Sequence, residues 1–164
     1  MRAFFFIILT AATLLTGCAK KIEALESRSV IATIKTPNLS VSQAGFISVL
    51  PNDKYRLQIY AAGQGALELT VGEKICQGAL RCLSAGEFNK RYLSENYPPN
   101  LMRDVIAARA ISNLENAVVI DSENGWTQNA RSSGKYDVSY EKNGGATRFR
   151  DSLNKVLIVI RRAE

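Results

Sequence analysis

The stretch Lys54 to Val71, KYRLQIYAAGQGALELTV, constrains the fold more than any other. Tyr55, Leu57, Ile59 and Ala61 alternate with Arg56, Gln58 and Tyr60. Further on, Leu67, Leu69 and Val71 alternate with Ala66, Glu68 and Thr70. A period of two puts each apolar set on one face of an antiparallel pair. Ala61, Ala62, Gly63, Gln64 and Gly65 between the runs exceed a two-residue turn and are expected to bulge outward as a loop. A hairpin with one apolar face needs something to lie against it, and what lies there decides the function.

The rest of the chain supplies more strands and little helix. Val30, Ala32 and Ile34 alternate through a first strand over 29–35, which Thr36-Pro37-Asn38 stops. Residues 39–42 and 44–50 read as further strand with an interruption near Gly45, and Pro51-Asn52-Asp53 turns into the hairpin. Residues 73–83 read as strand, turn and strand. Ser84 with Glu87 three residues on is a capping-box signature, and Phe88, Tyr92 and Leu93 predict a helix to about Glu95. After Pro98-Pro99, a second helix is expected from Asn100 to about Ala110, with Leu101, Met102, Val105 and Ile106 on one side. Runs at 117–121, 125–130, 135–142, 146–151 and 155–161 then form a meander joined by turn-rich segments. Two small helices interrupting about ten strands predict a mostly β fold: a single curved antiparallel sheet with helices on one apolar face.

The first residues belong to a different category. Arg2 and the apolar run Ala3 to Leu15 are too short for a permanent span and read as a leader. The run ends in Leu15-Thr16-Gly17-Cys18, which resembles the lipobox of bacterial lipoproteins. That resemblance implies cleavage before Cys18 and acylation of Cys18 as the lipid anchor, with residues 1–17 removed. Two or more acyl chains anchor stably where one does not. Ala19 after the cysteine, rather than aspartate, points to the outer membrane in such lipoproteins. Residues 18–29 are then a lipidated tether and 30–164 the domain.

Export leaves Cys76 and Cys82 as an even pair in an oxidising compartment. The spacing CQGALRC suits a disulfide across a hairpin end, which contributes about 2 kcal/mol in the chain-entropy model. The net charge of +6 excludes little: outside the inner membrane nucleic acid is no plausible partner, and the charge reads as a solvated surface with weak attraction to anionic lipid or an acidic partner.

The chain contains no histidine, which removes His-dependent triads, most zinc sites and the usual near-neutral proton shuttle. No GxSxG, GxGxxG or P-loop occurs, and Asp121 and Glu123 sit in turn-like sequence. No catalytic residue, metal site or cofactor is expected. Apolar surface remains. Leu57, Ile59, Leu67 and Leu69, faced by Leu101, Met102, Val105 and Ile106, either fill a core or enclose a cavity, and residue types alone favour the core.

The order of elements adds a resemblance. YRLQIYAAGQGALEL, a clipped hairpin, a helix, YPPNLMRDVIAAR, then GWTQ and a closing meander resemble the LolB family over about residues 30–160. Those proteins are outer-membrane lipoproteins that receive acylated lipoproteins from a periplasmic carrier. The resemblance implies an unclosed half-barrel with helices over a concave acyl-binding cavity, here lined by Leu57, Ile59, Leu67, Leu69, Leu101, Met102, Val105, Ile106 and Trp126. Burying one long acyl chain at about 0.8 kcal/mol per CH₂ is worth on the order of 10 kcal/mol. The implied partners are lipoprotein cargo, a LolA-like periplasmic carrier and the inner leaflet of the outer membrane. The protein is expected to be a monomer that does not bind nucleic acid, with 61–65 approaching the bilayer.

Three positions depart from that family. Ala62 stands where the family has an exposed leucine needed for delivery, Val105 where it usually has tryptophan, and Ala108 where it usually has glycine. The cysteine pair is not a general family feature. The alternatives are a non-enzymatic scaffold for an outer-membrane assembly, or a lipid-sensing lipoprotein with the same shape.

Overall fold

The computed structural model describes residues 23–78 and 81–163. The expected leader, Cys18 and the tether up to residue 22 lie outside the described residues. Eleven strands form one antiparallel sheet in two meanders. The first comprises β1 (Glu26–Thr36), β2 (Leu39–Leu50), β3 (Lys54–Ala61), β4 (Gln64–Val71), β5 (Lys74–Gln77) and β6 (Arg81–Ser84). The second comprises β7 (Val118–Ser122), β8 (Gly125–Ser132), β9 (Tyr136–Asn143), β10 (Ala146–Asp151) and β11 (Val156–Arg162). β1 pairs with β11 and fuses the two. β6 and β7 are the free edges and do not pair with each other, so the sheet stays unclosed, as expected. The chain crosses from one edge to the other through α1 (Ala85–Tyr92) and α2 (Leu101–Ile106), whose apolar side chains join the sheet's in one core.

The alternation read from the sequence sets the register. Leu57 pairs with Leu69 and Ile59 with Leu67, all four buried on the inner face. β1 starts at Glu26, inside the expected tether, because its polar residues ladder against β2 up to Val49. β2 runs unbroken through Gly45. A Cβ there would lie 2.0 Å from the Gln58 carbonyl oxygen, so glycine permits close strand approach rather than interrupting the strand.

The expected outward loop at 61–65 is a tight hairpin instead. Ala61 pairs with Gln64, leaving Ala62 and Gly63 as the central residues at φ +50° and +77°. Left-handed geometry at both positions matches the right-handed twist of the strands. The surplus residue is absorbed by a bulge where the register shifts between Ile59 and Tyr60.

Both helices are shorter than expected. In α1 the capping box forms: the Glu87 N–H donates to Ser84 Oγ at 3.2 Å and the Ser84 N–H to Glu87 Oε2 at 2.9 Å. Its last residue is Tyr92, not Glu95. α2 begins at Leu101 and ends at Ile106 rather than Ala110, because Ala108 takes φ +55°. The Ala108 N–H reaches the Val105 carbonyl at 3.2 Å and the Arg109 N–H the Asp104 carbonyl at 2.9 Å, the two bonds of a Schellman stop.

Two alanines therefore occupy positions that favour other residues. Ala62→Asn and Ala108→Gly should each raise the unfolding free energy by about 0.5–1 kcal/mol, read from urea midpoints at unchanged m-value. A neutral or negative effect at both would contradict the left-handed assignments.

Candidate functional site

The concave face brings together the residues singled out from the sequence. Leu57, Ile59, Leu67, Leu69, Leu101, Met102, Val105 and Ile106 share one buried cluster, none more than 8% exposed. Trp126 lies at its margin, half-buried and edge-on to Tyr140 with centroids 4.7 Å apart. The sheet's second half contributes as much of the lining and was not singled out. Tyr140, Phe149 and Ile158 are fully buried there, joined by Val138 and Val156. Alternation in 136–140 and 156–160 carried that signal.

The side chains expected to line a cavity lie buried together in one cluster, to which α2 contributes its apolar side. Hollows lie around the margins. One of about 430 Å³ sits between the β5–β6 hairpin and α1, lined by Ile75, Cys82, Leu83, Phe88 and Tyr92 with Arg81 and Arg91 at its lip. Cys76 and Cys82, paired across that hairpin, form a disulfide. Ala61 to Gly65 form the exposed tip of β3–β4. Near it, Phe46 and Tyr60 make an edge-on pair at 6.1 Å, 44% and 37% exposed.

Besides the burial of Leu101, Met102, Val105 and Ile106, polar contacts hold α2 and the turn that follows it. Asp53, in the β2–β3 turn, accepts two N–H bonds from Arg109 at 3.1 and 3.2 Å and sits 3.6 Å from Arg103. Arg109 also reaches Asp104 at 3.3 Å, and Asn100 donates to the same buried carboxylate. The Tyr140 hydroxyl donates to the Asp104 carbonyl and Arg28 to the Ile106 carbonyl, both at 3.4 Å. The Arg109 hydrogen bond holds the Asp53 carboxyl below its ordinary range, and the same contact raises Arg109. Burial, with the bond to Asp53 second, pushes the Tyr55 phenol up.

The crossover on either side of α2 is stitched to the second meander. The Tyr97 hydroxyl donates to Asp151 at 2.5 Å, and burial drives that phenol far above its usual range. Asp151, itself buried, also accepts the backbone N–H groups of Asp137, Leu153 and Asn154. Gln128 exchanges two 2.8 Å bonds with the Ile111 backbone. None of these buried polar residues was identified from the sequence, because nothing in period or spacing distinguishes a buried Gln or Asp from a solvated one. Among the described residues no group of three His, Cys, Asp or Glu is placed to hold a metal.

The clasp carries a pH dependence. A carboxylate whose folded pKa is depressed contributes stability above its unfolded value, 3.8 for Asp53, and loses it as pH falls through the lower folded value. Asp53→Asn should therefore be less stable than the wild type at neutral pH, with the two stability curves converging in acid below that value. Parallel curves across the whole range would remove Asp53 from the clasp. Comparison with known proteins finds no family model that matches this chain and no curated protein that matches its sequence.

Proposed function

We propose that this protein is a LolB-like outer-membrane lipoprotein, anchored through Cys18, which accepts acylated lipoproteins from a periplasmic carrier and passes them to the membrane. The observation that carries this reading is how the interior is covered. A sheet with an apolar concave face is left unclosed between β6 and β7, and a six-residue helix held by a largely exposed ionic clasp plugs it. A closed barrel or a thick helical layer would hold such an interior permanently. A short helix that belongs to the crossover and to no strand ladder can move aside without breaking the sheet. Leu101, Met102, Val105 and Ile106 then stand in for the acyl chain in the unloaded state, and the chain's burial, worth on the order of 10 kcal/mol, offsets the lost helix contacts. Met102 and the leucines suit a lining that must repack.

The hairpin tip supports the membrane-facing part of this reading in altered form. Ala62 offers little apolar surface, but the Phe46–Tyr60 pair beside the tip is exposed and aromatic, and such side chains favour the bilayer interface. In the proposal this pair replaces the family's leucine.

A second reading has its own support. The packed interior, Ala62, and the exposed edge residues Val118, Val119 and Ile120 suit a scaffold that keeps the fold without transfer. The two readings separate in one experiment. A soluble version lacking residues 1–18 is mixed with the carrier loaded with acylated cargo, and the cargo is followed. Transfer onto this protein is expected. Bridging Asp53→Cys to Arg109→Cys with a bifunctional maleimide should abolish transfer, while the same variant alkylated singly retains it. Cargo that stays on a competent carrier would overturn the transfer reading in favour of the scaffold.

A further inference from the structure

The concave face carries another feature at the rim where β1, β9 and β11 end. Arg162 pairs with Val30, Arg28 precedes Val30 by two residues on the same face, and Lys142 pairs with Trp126 and Thr147. Arg28, Lys142 and Arg162 line one hollow of about 230 Å³ with Thr147 and the Gly144–Gly145 segment. Ala107 and Ala108, just beyond α2, line it as well. Arg28 donates to the Ile106 carbonyl at 3.4 Å, which fixes its guanidinium at the rim. Among the described residues none of the three cations is ion-paired with a carboxylate. Glu26 and Asp121 share this face, but neither lines the hollow.

Three like charges around so small a space repel one another, and the carboxylate on this side, Glu26, lines the neighbouring hollow with Arg28 without being ion-paired to it. An oxyanion offsets the repulsion. Phosphate presents several acceptor oxygens to guanidinium and ammonium donors, in charge-assisted bonds about twice as strong as neutral ones. The hollow is also below the roughly 300–1,000 Å³ of pockets that enclose whole organic ligands, so it fits a phosphate group rather than a larger molecule.

We propose that this rim hollow binds a phosphate group, carried either by an anionic phospholipid headgroup or by a soluble phosphate. The site adjoins the end of α2 but is formed with α2 in place, so it does not depend on the interior opening.

The test uses the full chain in a neutral detergent, with amide resonances of Gly144 to Thr147 followed during titration. The probes are inorganic phosphate and, in the same micelles, phosphatidylglycerol, with phosphatidylcholine as the zwitterionic control. Saturable shifts with phosphatidylglycerol alone assign the site to a lipid headgroup. Shifts with both anionic probes assign it to phosphate in general. The triple variant Arg28→Gln, Lys142→Gln, Arg162→Gln should weaken binding by about 100-fold, and Lys142→Gln alone by about 10-fold. A charge-matched triple variant on the outer face, Arg148→Gln, Arg150→Gln, Arg161→Gln, should leave binding unchanged. Equal weakening by both triples would reduce the effect to net charge and overturn the site, as would the absence of a saturable shift with either anionic probe. Should the inner triple unfold, Lys142→Gln decides the matter on the same criterion.

Discussion

Everything in this molecule depends on the pairing of its first described strand with its last. β1 and β11 lie more than a hundred residues apart, yet their ladder from Val30–Arg162 to Lys35–Leu157 turns two local meanders into one sheet. Without that ladder each meander would expose an edge and half of an apolar face. With it, Val30, Ala32 and Ile34 come to lie beside Ile158 and Ile160, and the concave surface becomes continuous. Forming the ladder requires closing the longest loop in the chain before its contacts contribute, which places it late and makes it slow relative to the hairpins.

The two helices complete the structure by a different logic. They do not close the seam between β6 and β7; they cross it and lay apolar side chains into the cup. Their attachment is polar and asymmetric. At one end Tyr97, held by the buried Asp151, ties the crossover to the β9–β11 side. At the other, Asp53 and Arg109 tie α2 to the β2–β3 turn at the surface, where water competes for every bond. The crossover also has a buried tie beyond Arg109, where Gln128 holds the Ile111 backbone, so the surface pair at Asp53 is the most water-exposed of these attachments.

The strands were legible because a half-buried sheet writes its period directly into the sequence. Positions from Tyr55 to Val71 and from Val156 to Ile160 alternate cleanly, and the disulfide pair sits where the cysteine spacing put it. The errors share one physical origin, backbone geometry that the side chains do not advertise. Ala62 and Ala108 take left-handed angles without being glycine, so a tight hairpin was read as a loop and a six-residue helix as a longer one. Gly45 invited the opposite error, since its role is close approach within a continuous strand. The filled interior was illegible for another reason: a lining and a packing residue are the same leucine, and only the position of α2 tells them apart. The rim cations were invisible because Arg28, Lys142 and Arg162 are scattered in sequence and meet only through the register.

The two edges of the sheet are not equivalent. β6 is four residues long, cross-linked to β5 and continued directly into α1, so it offers little backbone to another chain. β7 carries Val118, Val119 and Ile120 uncovered, with its outer backbone unpaired in the sheet. Strand-to-strand growth of a polymer needs a donor edge and a different acceptor edge on every subunit. A contact between two β7 strands uses up that edge on both molecules and leaves only the short β6 edges. Pairing through β7 joins two molecules, and growth beyond that pair would need the four-residue, cross-linked β6 edge.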